Sequence, residues 1–171
     1  MQKIQKITPF LWFRDGAEDA AKFYVSVFSE AGEDAEILNV THYPKVAEEV
    51  SGKTAGSVMT ISFRLAGQYF TAINGGEPFK LSEAFSLVIN CENQKEIDYY
   101  WEKLKEGGDE KAQICGWLKD RFGLSWQIVP TTIEKMLQDQ DKAERVMGAV
   151  LKMKKLNIAE LQKAYDGEQI K

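Results

Sequence analysis

Leu11-Trp12-Phe13-Arg14-Asp15 and Leu87-Val88-Ile89-Asn90-Cys91 stand 76 residues apart, and the sequence after each can be laid on the other without a gap as far as Gly32 and Gly108. Leu11 falls on Leu87, Phe23 on Tyr99, Tyr24 on Tyr100, Phe28 on Leu104, Glu30 on Glu106 and Gly32 on Gly108. An apolar stripe transfers with them. Ala21, Tyr24, Val25 and Phe28 match Ile97, Tyr100, Trp101 and Leu104, both at i, i+3, i+4, i+7, the spacing that buries one side of a helix. A repeat at fixed offset sets the architecture before any local signal is weighed.

Each half therefore begins strand–helix. Ile7 to Phe13 and Ala84 to Ile89 are apolar runs that predict strands buried on much of both faces. Asp15 with Glu18, and Asn93 with Glu96, have the spacing of a capping box. Gly32 and Gly107-Gly108 supply the permissive backbone where each helix ends. Beyond the first helix, Ala35 to Tyr43 is rich in strand formers, and Ser57 to Leu65 alternates, with Met59, Ile61, Phe63 and Leu65 on one face. Ala66-Gly67 turns this strand into Gln68 to Asn74, and the polar stretch Pro44 to Gly56 reads as a mobile loop. In the second half, Ala112 to Leu118 and Leu124 to Val129 read as strands joined through Lys119 to Gly123. That half is about 20 residues shorter in its middle, so one of its strands is expected to be vestigial.

After Pro130 the pattern becomes helical. Thr131 with Glu134, Asp141 with Glu144, and Asn157 with Glu160 repeat the capping-box spacing. Ala143, Val146, Met147, Val150 and Leu151 form one stripe, and Ile158, Leu161, Ala164 and Tyr165 another, ended by Gly167. These stripes must bury against the sheets or against a second subunit.

Composition narrows the function classes. The chain has 171 residues, 44% hydrophobic and 28% charged, which is ordinary for a globular protein. Twenty-two basic against 26 acidic residues give a net charge of −4, which offers no electrostatic grip on nucleic acid. No apolar run approaches a membrane span, and Met1 to Lys6 has no apolar leader core. Cys91 and Cys115 are not in a CxxC pair, and the single histidine, His42, is the one base for a Cys–His nucleophile. A cytoplasmic protein with two free thiols is expected.

Two βαβββ-like halves resemble the vicinal oxygen chelate superfamily, which includes glyoxalase I and extradiol dioxygenases. The motifs are more specific. Ile7-Thr8-Pro9-Phe10-Leu11-Trp12-Phe13, Ala20-Ala21-Lys22-Phe23-Tyr24, Asn74-Gly75-Gly76, Tyr99-Tyr100-Trp101 and the long run from Cys115-Gly116-Trp117-Leu118-Lys119-Asp120 to Gln127-Ile128-Val129-Pro130 look like the PhnB-like family. That family also carries the description 3-demethylubiquinone-9 3-methyltransferase domain. The resemblance runs from about Ile4 to Gly167. It implies an α+β fold in which two βαβββ-type repeats form curved sheets around a cleft, as in glyoxalase and dihydroxybiphenyl dioxygenase. The expected division is a first half over 1–78, a shortened second half over 79–130 and a helical C-terminal tail over 131–171.

Superfamily enzymes hold a divalent metal with His, Glu or Gln on the first and last strands of each half, and that expectation can be carried over residue by residue. The first-strand position falls on Thr8, or on Pro9 or Phe10 if the register slips, and its repeat on Ala84, Phe85 or Ser86. The last strand offers Gln127, and aligning Gly67 with Gly123 places Thr71 at the corresponding point of the first half. Hydroxyls and one neutral amide are poor ligands for a hard divalent ion, so neither a metal nor another cofactor is expected. A nucleotide site would need a glycine-rich turn opening a helix, whereas Asn74-Gly75-Gly76-Glu77-Pro78 runs into proline.

Alternation along the strands gives a candidate ligand-binding cleft lined by Thr8, Phe10, Trp12, Thr71, Ser86, Trp117, Ser125 and Gln127. Trp126, of opposite parity to Gln127, is expected in the core, and Asp120 with Arg121 in turn chemistry and a surface ion pair. The expectation is a small-molecule-binding domain taking a partly apolar ligand, paired as a homodimer and binding neither nucleic acid nor membrane. The alternatives are an enzyme, either a metal-dependent lyase or dioxygenase or a 3-demethylubiquinone 3-methyltransferase, and a protein-interaction module.

Overall fold

The computed structural model describes residues 5–168, so Met1 to Ile4 of the N-terminal segment lie outside the described residues. The chain divides into two compact units, Met1–Leu81 and Ser82–Lys171. Among the described residues no helix is long and apolar enough to cross a membrane.

The first unit runs β1 (Phe10–Phe13), α1 (Ala17–Glu30), β2 (Glu36–His42), a 3-10 turn over Lys45–Ala47, α2 (Glu48–Ser51), β3 (Val58–Leu65) and β4 (Gln68–Asn74). Its sheet has the order β1-β4-β3-β2, with β1 parallel to β4 and the other pairs antiparallel. Joining parallel strands requires a crossover rather than a hairpin. The helix α1 accordingly covers one face, where Ala17, Ala20, Ala21, Tyr24, Val27 and Phe28 are buried. Leu11, Phe13, Ile61, Phe63, Leu65, Phe70 and Ala72 complete this core from the strands. Val25, expected on the buried stripe, is only half-buried, and Val27 is buried in full.

The second unit repeats the plan with β5 (Ser86–Cys91), α3 (Gln94–Lys105), β6 (Asp109–Ile114), β7 (Trp117–Lys119) and β8 (Ser125–Pro130), in the order β5-β8-β7-β6. Again the first strand is parallel to the last. The strand expected to be vestigial is β7, which keeps three residues where its counterpart β3 has eight. The expected single strand from Ala112 to Leu118 is instead two strands folded at Cys115-Gly116, whose φ values of 55° and 84° mark a tight primed hairpin turn. Ala66-Gly67, at 46° and 79°, makes the same kind of turn between β3 and β4. The missing length lies between the second and third strands. The first unit has Tyr43 to Ser57 there, with its two short helical turns in place of the expected open loop, and the second unit has only Cys115-Gly116.

Not every spacing that suggested a cap forms one. Asn93 accepts from the Glu96 amide at 3.0 Å, and Asn157 from the Glu160 amide at 3.1 Å. Asp15 does not cap α1. Gly16 stands at that position with φ 82°, which only glycine takes freely, and the helix is capped from the sheet: Asn74 Oδ1 accepts from the Ala17 amide at 2.8 Å. Asn74 Nδ2 also donates to the Val58 carbonyl at 3.0 Å, so one side chain ties the helix start to two strands. Thr131 and Asp141 likewise make no side-chain cap, because α4 (Ile133–Gln138) and α5 (Gln140–Val150) begin after Thr132 and Asp139.

The tail belongs to the second unit. Met136, Val146, Ala149, Val150, Leu156, Leu161 and Ala164 form its own core, with Cys115 and Val129 packed against it, and α6 (Ile158–Asp166) closes it. Backbone bonds fasten it to the β6–β7 turn: Cys115 N donates to Met153 O at 2.8 Å and Gly116 N to Lys154 O at 2.7 Å. Gln94 on α3 grips the same segment, donating to Leu156 O and accepting from Ile158 N. The stripe on α5 is narrower than its sequence suggested, since Met147 and Leu151 are exposed.

Asp120 departs from the surface ion pair expected of it. It is 3% exposed, and its carboxylate accepts from the Phe122 and Leu124 amides at 2.8 and 3.0 Å and from Trp126 Nε1 at 2.8 Å. One charged group thus fixes the β7–β8 turn and the orientation of the largest buried side chain, because an ionised carboxylate accepts several strong bonds at once. Asp120→Ala is expected to lower the urea-unfolding free energy by about 2–4 kcal/mol, since buried donors lose their acceptor. Asn74→Ala should cost about 1–2 kcal/mol through the lost cap and strand tie. Unchanged midpoints in urea for either variant would contradict these roles.

Candidate functional site

Each sheet buries one face and leaves the other free of its own helix. Strand pairing assigns the side chains on the free faces. In the first unit, Phe10 pairs with Thr71 and Trp12 with Ile73 on β1–β4, Ser62 with Thr71 and Thr60 with Ile73 on β3–β4, and Thr41 with Thr60 on β2–β3. This face is a hydroxyl-rich strip beside aromatic rings. Thr41 and Thr60 share a hydrogen bond at 2.6 Å, and Ser62 and Thr71 another at 3.3 Å. Phe10 is 57% exposed, whereas Trp12 is half-buried, donating from Nε1 to Gly76 O at 3.0 Å and meeting the Phe79 ring edge-on. Arg64 closes one end, paired with Asp34 and Glu36 at 2.7 and 2.8 Å.

The second unit places Ser86 opposite Ser125, Val88 opposite Gln127, and Trp117 on the far side of Gln127. Gln127 Nε2 donates to Ser86 Oγ at 2.9 Å. Val88 is 49% exposed and Trp117 half-buried. Ser125 is 1% exposed, and its Oγ has no hydrogen-bond partner, one of two such buried side-chain atoms among the described residues, the other being Arg64 Nε. A buried hydroxyl left unpaired costs about 1–3 kcal/mol. Lys119, opposite Ser125 on β7, forms an ion pair with Glu83, and its ammonium holds the Glu83 carboxyl below the ordinary value.

Of the residues expected to line a cleft, Phe10, Trp12 and Thr71 therefore share the free face of the first sheet. Ser86, Trp117, Ser125 and Gln127 share that of the second. Thr8 joins neither, because β1 starts at Phe10. Thr8 lies in the exposed segment before it, its hydroxyl 3.4 Å from Gln5 O. The strand after it is correspondingly shorter than Ile7 to Phe13, and β5 begins at Ser86 rather than Ala84. Alternation through Ser62 and Trp117 also puts Arg64 and Lys119 on these faces.

The donor set does not fit a hard divalent ion. The polar side chains that the strands bring to these faces are threonine, serine and one amide, and among the described residues no three His, Cys, Asp or Glu side chains gather to hold a metal. The Gly75-Gly76 pair is a packing device. A Cβ at Gly75 would collide with the Trp12 indole, and no helix follows before Ser86. Trp126 is buried, as its parity predicts. Cys91 is buried, and burial, with the Glu96 carboxylate adding to it, pushes its thiol up to about 12, which keeps it protonated at neutral pH.

Two expectations follow. Gly75→Ala should displace the Trp12 indole and red-shift the tryptophan fluorescence while lowering Tm; an unchanged spectrum would contradict the packing. Cys91 should resist a disulfide reagent until the chain unfolds. The stability that its raised thiol pKa contributes should be complete below the ordinary 9.0 and lost as the pH climbs to about 12, because the unfolded chain ionises first. Rapid modification of both thiols at neutral pH would contradict this.

The family described as 3-demethylubiquinone-9 3-methyltransferase matches residues 5–129. A solved Bacillus cereus protein, a putative 3-demethylubiquinone-9 3-methyltransferase called PhnB, is 32% identical, with 74% of this chain and 99% of that one covered and a TM-score of 0.61. The fold also matches a Pseudomonas aeruginosa protein at 19% identity over 74% of this chain and 98% of that one, with a TM-score of 0.52. It matches the Listeria monocytogenes fosfomycin resistance protein FosX, solved with Mn(II) and 1S,2S-dihydroxypropylphosphonic acid, at 16% identity over 73% of this chain and 91% of that one, TM-score 0.51. No functionally curated protein matches. The chain belongs to the PhnB-like family described as 3-demethylubiquinone-9 3-methyltransferase.

Proposed function

We propose that this chain binds a small, partly apolar molecule over the free faces of its sheets and does so without a catalytic metal, acting in the cytoplasm as a homodimer. The observation that carries this reading is the chemistry of those faces. Each sets hydroxyls or an amide beside accessible apolar surface, Phe10 and Trp12 in the first unit, Val88 and Trp117 in the second. That mixture of apolar lining with a few placed polar groups is what small-molecule sites use. It provides neither the carboxylate and imidazole set that Lewis-acid chemistry needs nor the strand–glycine turn–helix of a nucleotide site. The family description speaks of methyl transfer. Gly75-Gly76, which runs into Pro78 and not into a helix, is no cradle for a nucleotide-type cofactor.

The test is an amide NMR titration of the whole protein with a library of small aromatic and alicyclic compounds, run beside S-adenosylmethionine and Mn(II). Hits should shift amides of Phe10 and Thr71 in the first unit, or of Ser86 and Gln127 in the second, and Thr71→Val or Gln127→Leu should weaken the respective hits roughly three- to tenfold, the worth of a hydrogen bond. Saturable Mn(II) or S-adenosylmethionine binding at these residues would overturn the reading in favour of an enzyme. Sedimentation equilibrium should give twice 19.4 kDa, and a monomer would sink the homodimer.

A further inference from the structure

We propose that the Ser125 hydroxyl is the hydrogen-bonding anchor for an uncharged polar group of the ligand, a carbonyl or a hydroxyl, and that the Lys119–Glu83 ion pair is the cover under which that group enters. This rests on the ligand-binding reading above and assigns the ligand its chemical class.

β8 is an inner strand of the second sheet, so Ser125 has a neighbour on each side: Ser86 on β5 and Lys119 on β7. The polar groups around it are already engaged. Gln127 donates to Ser86, Lys119 is bound to Glu83, and Asp120 takes the turn amides and Trp126. On this face, among the described residues, Ser125 Oγ is the buried side-chain atom without a partner, although the residue is 1% exposed. Alanine would fill the same place in the strand with no polar group to satisfy. A hydroxyl kept there unpaired points to a partner that comes from outside the chain.

The charges nearby select the partner. Lys119 is the cation whose strand register sets it beside Ser125, and Glu83 neutralises it. An anion brought here would give up its water for a hydroxyl and a compensated ammonium, which is unfavourable. A carbonyl or hydroxyl loses far less, and serine both donates and accepts. Val88 and Trp117, on the same face, supply apolar contact for the rest of the molecule. Access is consistent with this. Glu83 precedes β5 and Lys119 lies on β7, so their pair links the two sides of β8, and Glu83 is largely exposed. Exposed pairs of this kind are weak enough to open.

The experiment is an amide NMR titration of the full chain with acetophenone, benzyl alcohol and benzoate, on wild type, Ser125→Ala and Glu83→Gln, with Tm measured for each. Wild type should bind the two uncharged probes about tenfold more tightly than benzoate. Ser125→Ala should keep or raise Tm, because no internal bond is lost, while weakening acetophenone about fivefold to tenfold. Glu83→Gln, which frees Lys119, should narrow the gap by strengthening benzoate. The proposal is overturned if Ser125→Ala lowers Tm, if it leaves acetophenone binding unchanged (as a trapped water alone would), or if wild type prefers benzoate. If no probe shifts any amide of the second sheet in wild type, the small-molecule reading itself fails.

Discussion

The parallel pairing of the first strand with the last in each unit, β1 with β4 and β5 with β8, is the constraint on which the rest depends. Such a pair cannot be closed by a hairpin, so the chain must cross over through a helix. The helix needs an apolar face to lie on, and the strands provide one: Leu11, Phe63, Phe70 and Ala72 under α1, and Ile89, Trp126 and Ile128 in the core beside α3. Period-two alternation then fixes the opposite face without further choice. Once Leu11 is in the core, Phe10 and Trp12 cannot be. Once Trp126 is buried, Ser125 and Gln127 are committed to the other side.

The tie between helix and sheet is local and polar as well as apolar. Asn74 reaches from the end of β4 to the first amide of α1, and Asp120 gathers the amides of its own turn and the Trp126 indole. Asn74 satisfies one backbone donor and one backbone acceptor, and Asp120 satisfies two backbone amides and a ring donor. This is why the strand ends, and not the strand centres, carry the motif residues Asn74-Gly75-Gly76 and Asp120 to Gly123.

Much of this was legible in the sequence, because the repeat and the alternation are one-dimensional signals. The offset between Leu11 and Leu87 gives both strand–helix starts, and the stripes at Tyr24 and Tyr100 give the buried helix faces. What is not legible depends on a distant partner in one case and on local backbone conformation in the others. Asp15 and Glu18 have the right spacing for a cap, yet Asn74 takes the task from 57 residues away. The turn at Cys115 was hidden because a cysteine rarely adopts positive φ, and the neighbouring Gly116 looked like part of a strand. The burial of Asp120 is not legible because spacing alone does not show that the Phe122 and Leu124 amides and the Trp126 indole converge on one carboxylate. On the free faces, the sequence shows which residue types are present and absent. It does not show which hydroxyl has been left without a partner.

The central claim is that these faces are made for a small uncharged molecule and not for a metal. It is tested most directly by a high-resolution crystal structure of protein purified without chelator, with anomalous data collected across the transition-metal edges. The account predicts density for an organic molecule against the free sheet face, within hydrogen-bonding distance of Ser125 Oγ. An anomalous peak held by residues of that face would contradict it.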